Sequence, residues 1–204
     1  MKSKMKIPTL NEAKQLLNEA EQRNPGPWVQ HVRHVSEAAK LIALHIPELD
    51  AEKAEILAYL HDIGRREGVN KMRHIIDGYN FLIGLGYADA ARISLTHSFP
   101  IKDINSSVGE WDCSKEEKEF VNIFIQNVEY DLYDKLIQLC DSIALSTGCV
   151  IIEKRLVDVT LRYGCDQHTV PRWKAYLSLK DEFDKIIGKS IYSLLPEIVE
   201  NSMQ

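Results

Sequence analysis

The adjacent pair His61-Asp62 is the strongest chemical signal in the amino-acid sequence. It follows an apolar segment in which Ile56 and Leu60 recur at helical spacing, and Gly64 is expected to end that helix. A neutral imidazole nitrogen and a carboxylate oxygen are both good metal ligands. Because neighbours on a helix lie about 100° apart, a long ring and a short acid can converge on one ion. The simpler interpretation is a single buried histidine bonded to its neighbouring aspartate.

Other imidazole and carboxylate side chains fall on apolar helix faces elsewhere in the chain. His31 shares a helical stripe with Val35 and Ala39, which predicts that its ring faces the core. Burying several such groups without partners would cost roughly 1–3 kcal/mol for each unsatisfied group. A shared metal centre would remove this cost, because every group could donate a lone pair to an ion. The residues predicted to converge are His31, His61, Asp62, His74, His97 and Asp141.

The size and charge of the chain limit the functions that it can have. Its 204 residues, of which 45% are hydrophobic and 27% charged, suffice for one sizeable core. The formal net charge of −5, with no basic stripe to offset it, argues against nucleic-acid binding. No apolar run is long enough to span a bilayer, and no apolar leader follows the basic start. We therefore expect a cytoplasmic protein without a membrane partner.

The four cysteines show neither a CxxC pair nor regular spacing. Cys113, Cys140, Cys149 and Cys165 are predicted to be buried free thiols in a reducing compartment. A disulfide framework or a zinc site built from them is not expected.

Helical periodicity and chain breakers predict one all-α domain over residues 1–204. Capping boxes at Thr9 and Ser114 are expected to begin two of its helices. The segment Cys149 to Ile152 is apolar and β-branched, but its surroundings favour a helix. Glycines divide the rest of the chain into two further helices and a short C-terminal one. Between residues 28 and 146, the predicted helices cover residues 28–46, a segment from 50 to the pair at 61–62, the surroundings of 72–84, and residues 88–98, 115–127 and 132–146.

The order of these predicted ligands resembles the HD-domain superfamily of metal-dependent phosphohydrolases, which is named for the adjacent pair. The local contexts that carry the resemblance are His31-Val32-Arg33-His34-Val35, Leu60-His61-Asp62-Ile63-Gly64 and Leu139-Cys140-Asp141-Ser142-Ile143-Ala144. The resemblance covers about residues 28–146. It implies a compact helical bundle with the metal site in its core. We expect the C-terminal helices, in residues 147–204, to complete this bundle.

The resemblance also implies two metal ions. His74 and His97 match the extra histidines of HD branches that hold two metals, in which the aspartate of the pair, here Asp62, bridges both ions. The other three predicted ligands would complete the first site. A nitrogen-rich ligand set favours iron or manganese, with zinc, nickel and magnesium as alternatives. The histidines predicted not to be ligands are His34, His45 and His168.

Basic residues near the pair are the candidate substrate contacts. Arg65, Arg66 and Lys71 belong to a local basic cluster in an acidic chain, and arginine can contact a phosphate through two N–H groups. The resemblance adds weight to Arg65, because the HD-x-Gly-basic pattern often places a cation beside the substrate phosphate. Asp62 and Arg65 are the predicted catalytic residues. Further substrate-binding candidates are Lys102 and, on ambiguous helix faces, Lys154 and Arg155.

The residues and the resemblance together predict metal-assisted hydrolysis of a small phosphate ester such as a nucleotide. Bound ions would lower the pKa of a water molecule and neutralise phosphoryl oxygens, while the arginines would hold the phosphate. No Ser-His-Asp order, glycine-rich phosphate loop or dinucleotide fingerprint competes for the chemistry. The expected partner is a small phosphorylated substrate, and the sequence leaves a homodimer open.

Two other functions remain open from the sequence. Some HD-fold proteins with four histidines and two aspartates are di-iron oxygenases that cleave carbon–carbon or carbon–phosphorus bonds, and the predicted ligands fit that set equally well. The basic segment around Arg65 favours a hydrolase. The second alternative is a non-enzymatic regulatory module that binds a nucleotide or a partner. Such a module would have no reason to keep all six ligands.

Overall fold

The computed structural model describes residues 7–204, and nearly all of their regular structure is helical. The α-helices are α1 (Leu10–Arg23), α2 (Pro27–Ala43), α3 (Ala51–Leu60), α4 (Arg73–Gly84), α5 (Ala88–Thr96), α6 (Lys115–Asn127), α7 (Leu132–Asp141), α8 (Ile152–Tyr163), α9 (Thr169–Ile187) and α10 (Ile198–Met203). Short 3-10 helices cover Ile63–Glu67, Ile104–Ser106 and Ile191–Leu194. A hairpin pairs β1 (Ala144–Leu145) with β2 (Gly148–Cys149). The predicted all-α class is confirmed.

Side chains at the helix starts satisfy backbone donors as the sequence predicts. The hydroxyl of Thr9 accepts the N–H of Glu12, whose carboxylate in turn accepts the N–H of Thr9. Ser114 begins α6 with the same reciprocal arrangement. Asp50 caps α3 through its side chain. Caps of this kind typically contribute about 1 kcal/mol each, so these local sequences determine where the three helices begin.

Two helices of the core end before their predicted limits. α2 ends at Ala43 instead of Ile46, because the N–H of Ile46 bonds to the carbonyl of Ala43 and tightens the chain into a turn. α3 ends at Leu60, so His61 caps the helix and Asp62 has already left it, with φ −107° and ψ 15°. The pair therefore spans the end of a helix, and its two side chains need not follow the 100° spacing of helical neighbours.

The hairpin is the main departure from the predicted secondary structure. α7 ends at Asp141, well before the predicted Ser146, and the helix expected from Cys149 begins only at Ile152. Gly148 has φ 142°, a conformation that glycine adopts without strain and that reverses the chain here. The helical interpretation of this segment is wrong because the turn at Gly148 allows Ala144 and Leu145 to pair with Cys149 and Gly148. As a result, Asp141 stands at the end of its helix.

Packing of the helices encloses a continuous core. α2 packs against α3 and α7, and α9 packs against α7 and α8. One buried hydrophobic cluster extends from Ala13 of α1 to Ile198 of α10 and includes Leu57 of α3 and Phe183 of α9. A second cluster joins α4, α5 and α6. Across residues 7–204, none of the helices has the length and apolar character needed to cross a membrane.

Two glycines permit close contacts between neighbouring elements of the core. A Cβ atom on Gly64 would overlap the carbonyl oxygen of His74 and the backbone nitrogen of Gly78. A Cβ atom on Gly78 would in turn overlap the hydroxyl of Ser94. The turn after the His-Asp pair is therefore pressed against α4, and α4 against α5. These contacts bring the end of α3 next to the start of α4.

Gly64→Ala should destabilise the protein strongly. The added methyl group meets backbone atoms, which cannot rotate away, so we expect the free energy of unfolding to fall by roughly 3 kcal/mol or more. Gly84→Ala is the matched control, because a Cβ atom there meets no described atom within 4 Å. It should leave stability unchanged or raise it by roughly 0.5–1 kcal/mol. Urea denaturation measures both, and equal stabilities of the two variants would contradict the close contact at Gly64.

The cysteines are free but not uniformly buried. Cys140 and Cys149 are buried, Cys113 is partly buried and Cys165 is exposed, so the prediction of burial is wrong for Cys165. Cys165 follows the end of α8, where the chain crosses the surface. Burial raises the pKa of the Cys149 thiol to about 12 and that of Cys140 well above its usual value.

Iodoacetamide at pH 8 should therefore modify Cys165 first. Cys140 and Cys149 are inaccessible and protonated at that pH, and only the thiolate reacts, so they should be modified only after denaturation. Peptide mass spectrometry over a time course measures the order. Modification of Cys149 as fast as Cys165 in the native protein would show that β2 is not packed as described.

Candidate metal centre

α2 and α7 contribute one side of a polar cluster in the core. His31 lies in α2 on the same stripe as Val35, and its ring is buried, as the sequence predicts. Asp141 is the last residue of α7. Its Oδ1 lies 2.9 Å from Nε2 of His31, although 110 positions separate the two residues in the sequence. The packing of α2 against α7 therefore brings the first and last predicted ligands together.

His61, at the end of α3, presents one ring nitrogen to this cluster. Its side chain is fully buried, and its Nδ1 lies 2.6 Å from the carbonyl oxygen of Ala58. A carbonyl oxygen can only accept a hydrogen bond, so Nδ1 carries the proton and donates it. Nε2 therefore keeps its lone pair, and this is the atom that faces Asp62.

His74 and His97 are oriented in the same way from α4 and α5. Nδ1 of His74 donates to the carbonyl of Lys71, and Nδ1 of His97 lies 3.0 Å from the carbonyl of Ser94. Both rings are buried. Each histidine thus uses the backbone of its own helical turn to hold one tautomer, with Nε2 directed at the cluster. Backbone partners of this kind are the usual means by which metal-binding histidines are oriented.

The carboxylate of Asp62 lies between the two groups of histidines. Its Oδ1 is 3.1 Å from Nε2 of His74 and 3.5 Å from Nε2 of His97. Its Oδ2 is 4.0 Å from Nε2 of His61. The potential ligand atoms form two triads, His31-His61-Asp62 and Asp62-His74-His97, and within each triad they all lie within 4.8 Å of one another. Asp62 belongs to both triads, which is the position of a bridging carboxylate.

The polar atoms of this cluster are arranged for coordination of a cation and not for hydrogen bonds with one another. Nε2 of His61, Nε2 of His74 and Oδ1 of Asp62 are buried and have no hydrogen-bond partner within residues 7–204. The approach of His74 to Asp62, although short, lacks the alignment of a hydrogen bond. Unpaired buried polar atoms are costly, and several lone pairs converging on one space are stabilised by a positive charge there. The residues therefore suit a divalent metal ion.

Burial and neighbouring charges determine the protonation of these groups. Burial lowers the pKa of His61 to about 4 and also lowers that of His74, so both rings are neutral at pH 7. Burial alone would raise the pKa of Asp62, but Arg65 and His74 hold it well below its usual range. For His97, the effect of burial is outweighed by Asp62, which raises the pKa of the ring. Neutral imidazoles and an ionised carboxylate are the forms that bind metal.

Arg65 connects the buried cluster to an open cavity. It lies in the short helix after the pair, and its Nε is 2.5 Å from Oδ2 of Asp62. Its side chain is 30% exposed, whereas that of Asp62 is 6% exposed. The guanidinium group therefore covers the ligand cluster on the side from which a substrate would approach.

A cavity of about 470 Å³ opens onto the cluster. Its volume falls in the range that accommodates small organic ligands, roughly 300–1,000 Å³. α8 and α9 contribute much of its lining, together with the start of α2. The aromatic residues that line it are Trp28, Tyr163, Trp173 and Tyr176, and the arginines are Arg65, Arg155, Arg162 and Arg172. Cationic and aromatic side chains around one space suit an anionic organic ligand.

The other predicted substrate contacts lie away from this cavity. The guanidinium group of Arg66 stacks on the ring of Phe81, at 3.9 Å from its centre. Lys71 forms an ion pair with an exposed glutamate. The ammonium group of Lys102 lies 5.4 Å from the ring centre of Tyr130. The structure therefore does not bring these three cations together with the ligand cluster, because acidic and aromatic neighbours hold each of them elsewhere.

Two cavity residues, Arg172 and Tyr176, are absent from the sequence-based prediction. They are four positions apart in α9, so they share one helix face, and this spacing is the only signal of them in the sequence. Arg155, a weak candidate from the sequence, does line the cavity. The histidines predicted not to be ligands lie outside both triads, and they are His34, His45 and His168.

Comparison with known proteins agrees with this geometry. A family model described as the HD domain matches residues 28–146, which is more than half of the chain. The matched range contains all six clustered histidines and aspartates but not α8 or α9. Searches of curated proteins and of solved structures find no significant match. The chain therefore belongs to the HD-domain family, as shown by the match of the family model and in agreement with the order and the convergence of these residues.

Proposed function

We propose that the protein is a phosphohydrolase that uses two divalent ions to hydrolyse a small phosphate ester. Membership of the HD-domain family supports metal-dependent hydrolysis in general. The observation that carries the specific proposal is the contact of Arg65 with Asp62. The carboxylate shared by both ligand triads touches a guanidinium group at the floor of the cavity. A phosphate bound there would lie against the cluster and the arginine at once.

Four histidines and two aspartates are the proposed ligands. His31, His61 and Asp141 would serve one ion, His74 and His97 the other, and Asp62 both. The excess of nitrogen over oxygen donors favours iron or manganese over magnesium. Divalent ions in such a site supply a nucleophilic water at neutral pH and screen the negative charge of a phosphoryl group.

The residues of the chain position the substrate for this chemistry. Because Nε of Arg65 is bonded to Asp62, its terminal N–H groups remain for the non-bridging oxygens of a phosphate. Water adds to phosphorus, the bond from phosphorus to the ester oxygen breaks, and the proton lost by the attacking water ends on the released alkoxide, which leaves as the alcohol. The burial of His61 and His97 keeps bulk water away from the far side of the cluster.

The metal content should reveal two sites. Protein purified without chelator should contain about two divalent ions per chain, and His74→Ala should lose about one of them, because it removes a ligand from one triad only. His45→Ala is the matched control, since its ring is exposed, lies outside both triads and forms a hydrogen bond with the carbonyl of Leu41. Plasma mass spectrometry measures both. Equal metal contents in the two variants would contradict the two-triad arrangement.

Phosphate release should depend on both Asp62 and Arg65. With p-nitrophenyl phosphate, Arg65→Gln should lower kcat/KM by about 10²-fold, because a group that stabilises the transition-state charge is lost. Asp62→Ala should lower it by roughly 10³-fold or more, since both ion sites lose their shared ligand. Arg33→Gln is the control, because Arg33 pairs with Glu21 away from the cavity.

The same assay separates the alternative functions. Phosphate release under strict exclusion of oxygen is expected for a hydrolase. Product formation that requires oxygen would instead establish an oxygenase. A metal-loaded protein that releases no phosphate from a broad panel of esters would favour a regulatory module.

A further inference from the structure

We propose that the cavity contains a second anion subsite, formed by Arg155 of α8 and Arg172 of α9. The substrate would then carry a second phosphoryl group in addition to the one that is hydrolysed. This inference rests on the proposed function for the identity of the reaction. Its evidence, however, comes from the helices outside the matched HD-domain range.

Arg155 carries a buried donor that lacks a partner. Its side chain is 16% exposed and lines the cavity, and its Nη1 is 2.9 Å from the carboxylate of Asp158. Its Nε is buried without a hydrogen-bond partner anywhere in the described chain. Leaving such a donor unsatisfied costs roughly 1–3 kcal/mol. An oxygen atom of a bound anion would satisfy it.

Arg172 carries a buried charge whose ion pair is with a half-exposed carboxylate. The residue is 6% exposed, and its Nη1 donates to the backbone carbonyl of Ser106, which neutralises no charge. The nearest carboxylate, that of Asp166, is 3.5 Å from Nη2 and is itself half exposed. Burying a guanidinium group in this way is costly unless an anion approaches it. Arg172 also lines the cavity, where such an anion could bind.

The charges around the cavity exceed what one phosphate requires. The three arginines of α8 and α9 pair with only two acids. Asp158 accepts hydrogen bonds from both Arg155 and Arg162, and Asp166 pairs with Arg172. The scissile phosphate is already served by Arg65 and by the proposed ions. The excess positive charge contributed by α8 and α9 therefore remains for a second anionic group.

Tyr176 lies in the same cavity as Asp141 and the two arginines. All four residues line that space, so the ligand cluster and the second subsite open into one cavity. One small molecule could span the two subsites, and the cavity volume of about 470 Å³ is large enough for it.

Binding of stable analogues tests the subsite without any turnover. Metal-loaded protein is titrated calorimetrically with α,ω-alkanebisphosphonates of graded chain length and with alkylphosphonates of the same lengths. The best bisphosphonate should bind at least about 10-fold more tightly than its monophosphonate, as expected for added charge-assisted hydrogen bonds. A phosphonocarboxylate of the same length should bind less tightly than the bisphosphonate. Equal affinities of the bisphosphonate and either comparison ligand would overturn the assignment.

Substitutions assign the effect to the two arginines. Arg155→Gln and Arg172→Gln should each remove most of the preference for the bisphosphonate and leave the affinity for the monophosphonate within about twofold. Arg155→Lys keeps the charge but loses the planar guanidinium group. Its preference for the bisphosphonate should therefore lie between those of wild type and Arg155→Gln. Arg33→Gln should bind like wild type. A full bisphosphonate preference in both glutamine variants would overturn the proposal, provided that thermal denaturation shows them folded.

Hydrolysis then distinguishes the two proposals. If the bisphosphonate preference is present but no phosphate ester is hydrolysed, the anion subsite stands and the proposed function fails. If alkyl phosphates and bisphosphates are hydrolysed with equal KM and the preference is absent, the proposed function stands and the subsite fails. Lower KM for the bisphosphate, lost in Arg155→Gln and kept in Arg33→Gln, would support both.

Discussion

The buried carboxylate of Asp62 is the group on which the arrangement of the core depends. An ionised carboxylate in this position requires positive charge around it. Arg65 supplies one such charge, and the surrounding imidazoles supply lone pairs that could hold a cation beside it. Gly64 lets the turn after Asp62 press against α4, which brings His74 within 3.1 Å. Gly78 then lets α5 approach α4 closely enough for His97 to reach the same oxygen. The glycine contacts are therefore part of the candidate metal site, although neither glycine carries a ligand atom.

Much of the fold follows from local signals in the sequence. The capping residues Thr9 and Ser114 begin their helices as predicted, and the apolar stripe through His31 identifies its buried face. The six predicted ligands converge because their helices pack into one core. His31 and His74 lie within α2 and α4, and the other four stand at or just beyond the ends of α3, α5 and α7. Where the prediction failed, as at the end of α7, a glycine with positive φ allowed a hairpin that periodicity alone could not reveal. Local patterns predict helices well and their ends less well.

The substrate side of the site could not be predicted in the same way. Lys71 and Lys102 are near the ligands in sequence, but their positions are decided by distant partners that only the folded chain brings near. Arg172 is far from the His-Asp pair in sequence, and it lines the cavity because α9 packs against α7 and α8. A long basic side chain on a surface helix is usually solvated, so its type and spacing carry little information. The matched HD-domain range therefore contains the candidate metal ligands, and the helices that follow it contribute arginines to the cavity beside them.

The contact between Arg65 and Asp62 has a thermodynamic consequence. The guanidinium group binds the carboxylate through Nε while its terminal N–H groups remain for an anion in the cavity, so the negative charge of Asp62 opposes that anion. A cation bound at the Asp62 oxygens would offset this charge and so strengthen binding of the anion. By reciprocity, the anion must strengthen binding of that positive charge by the same factor. Binding of a cation to the cluster and affinity for substrate would therefore rise and fall together, because both depend on the same side chain.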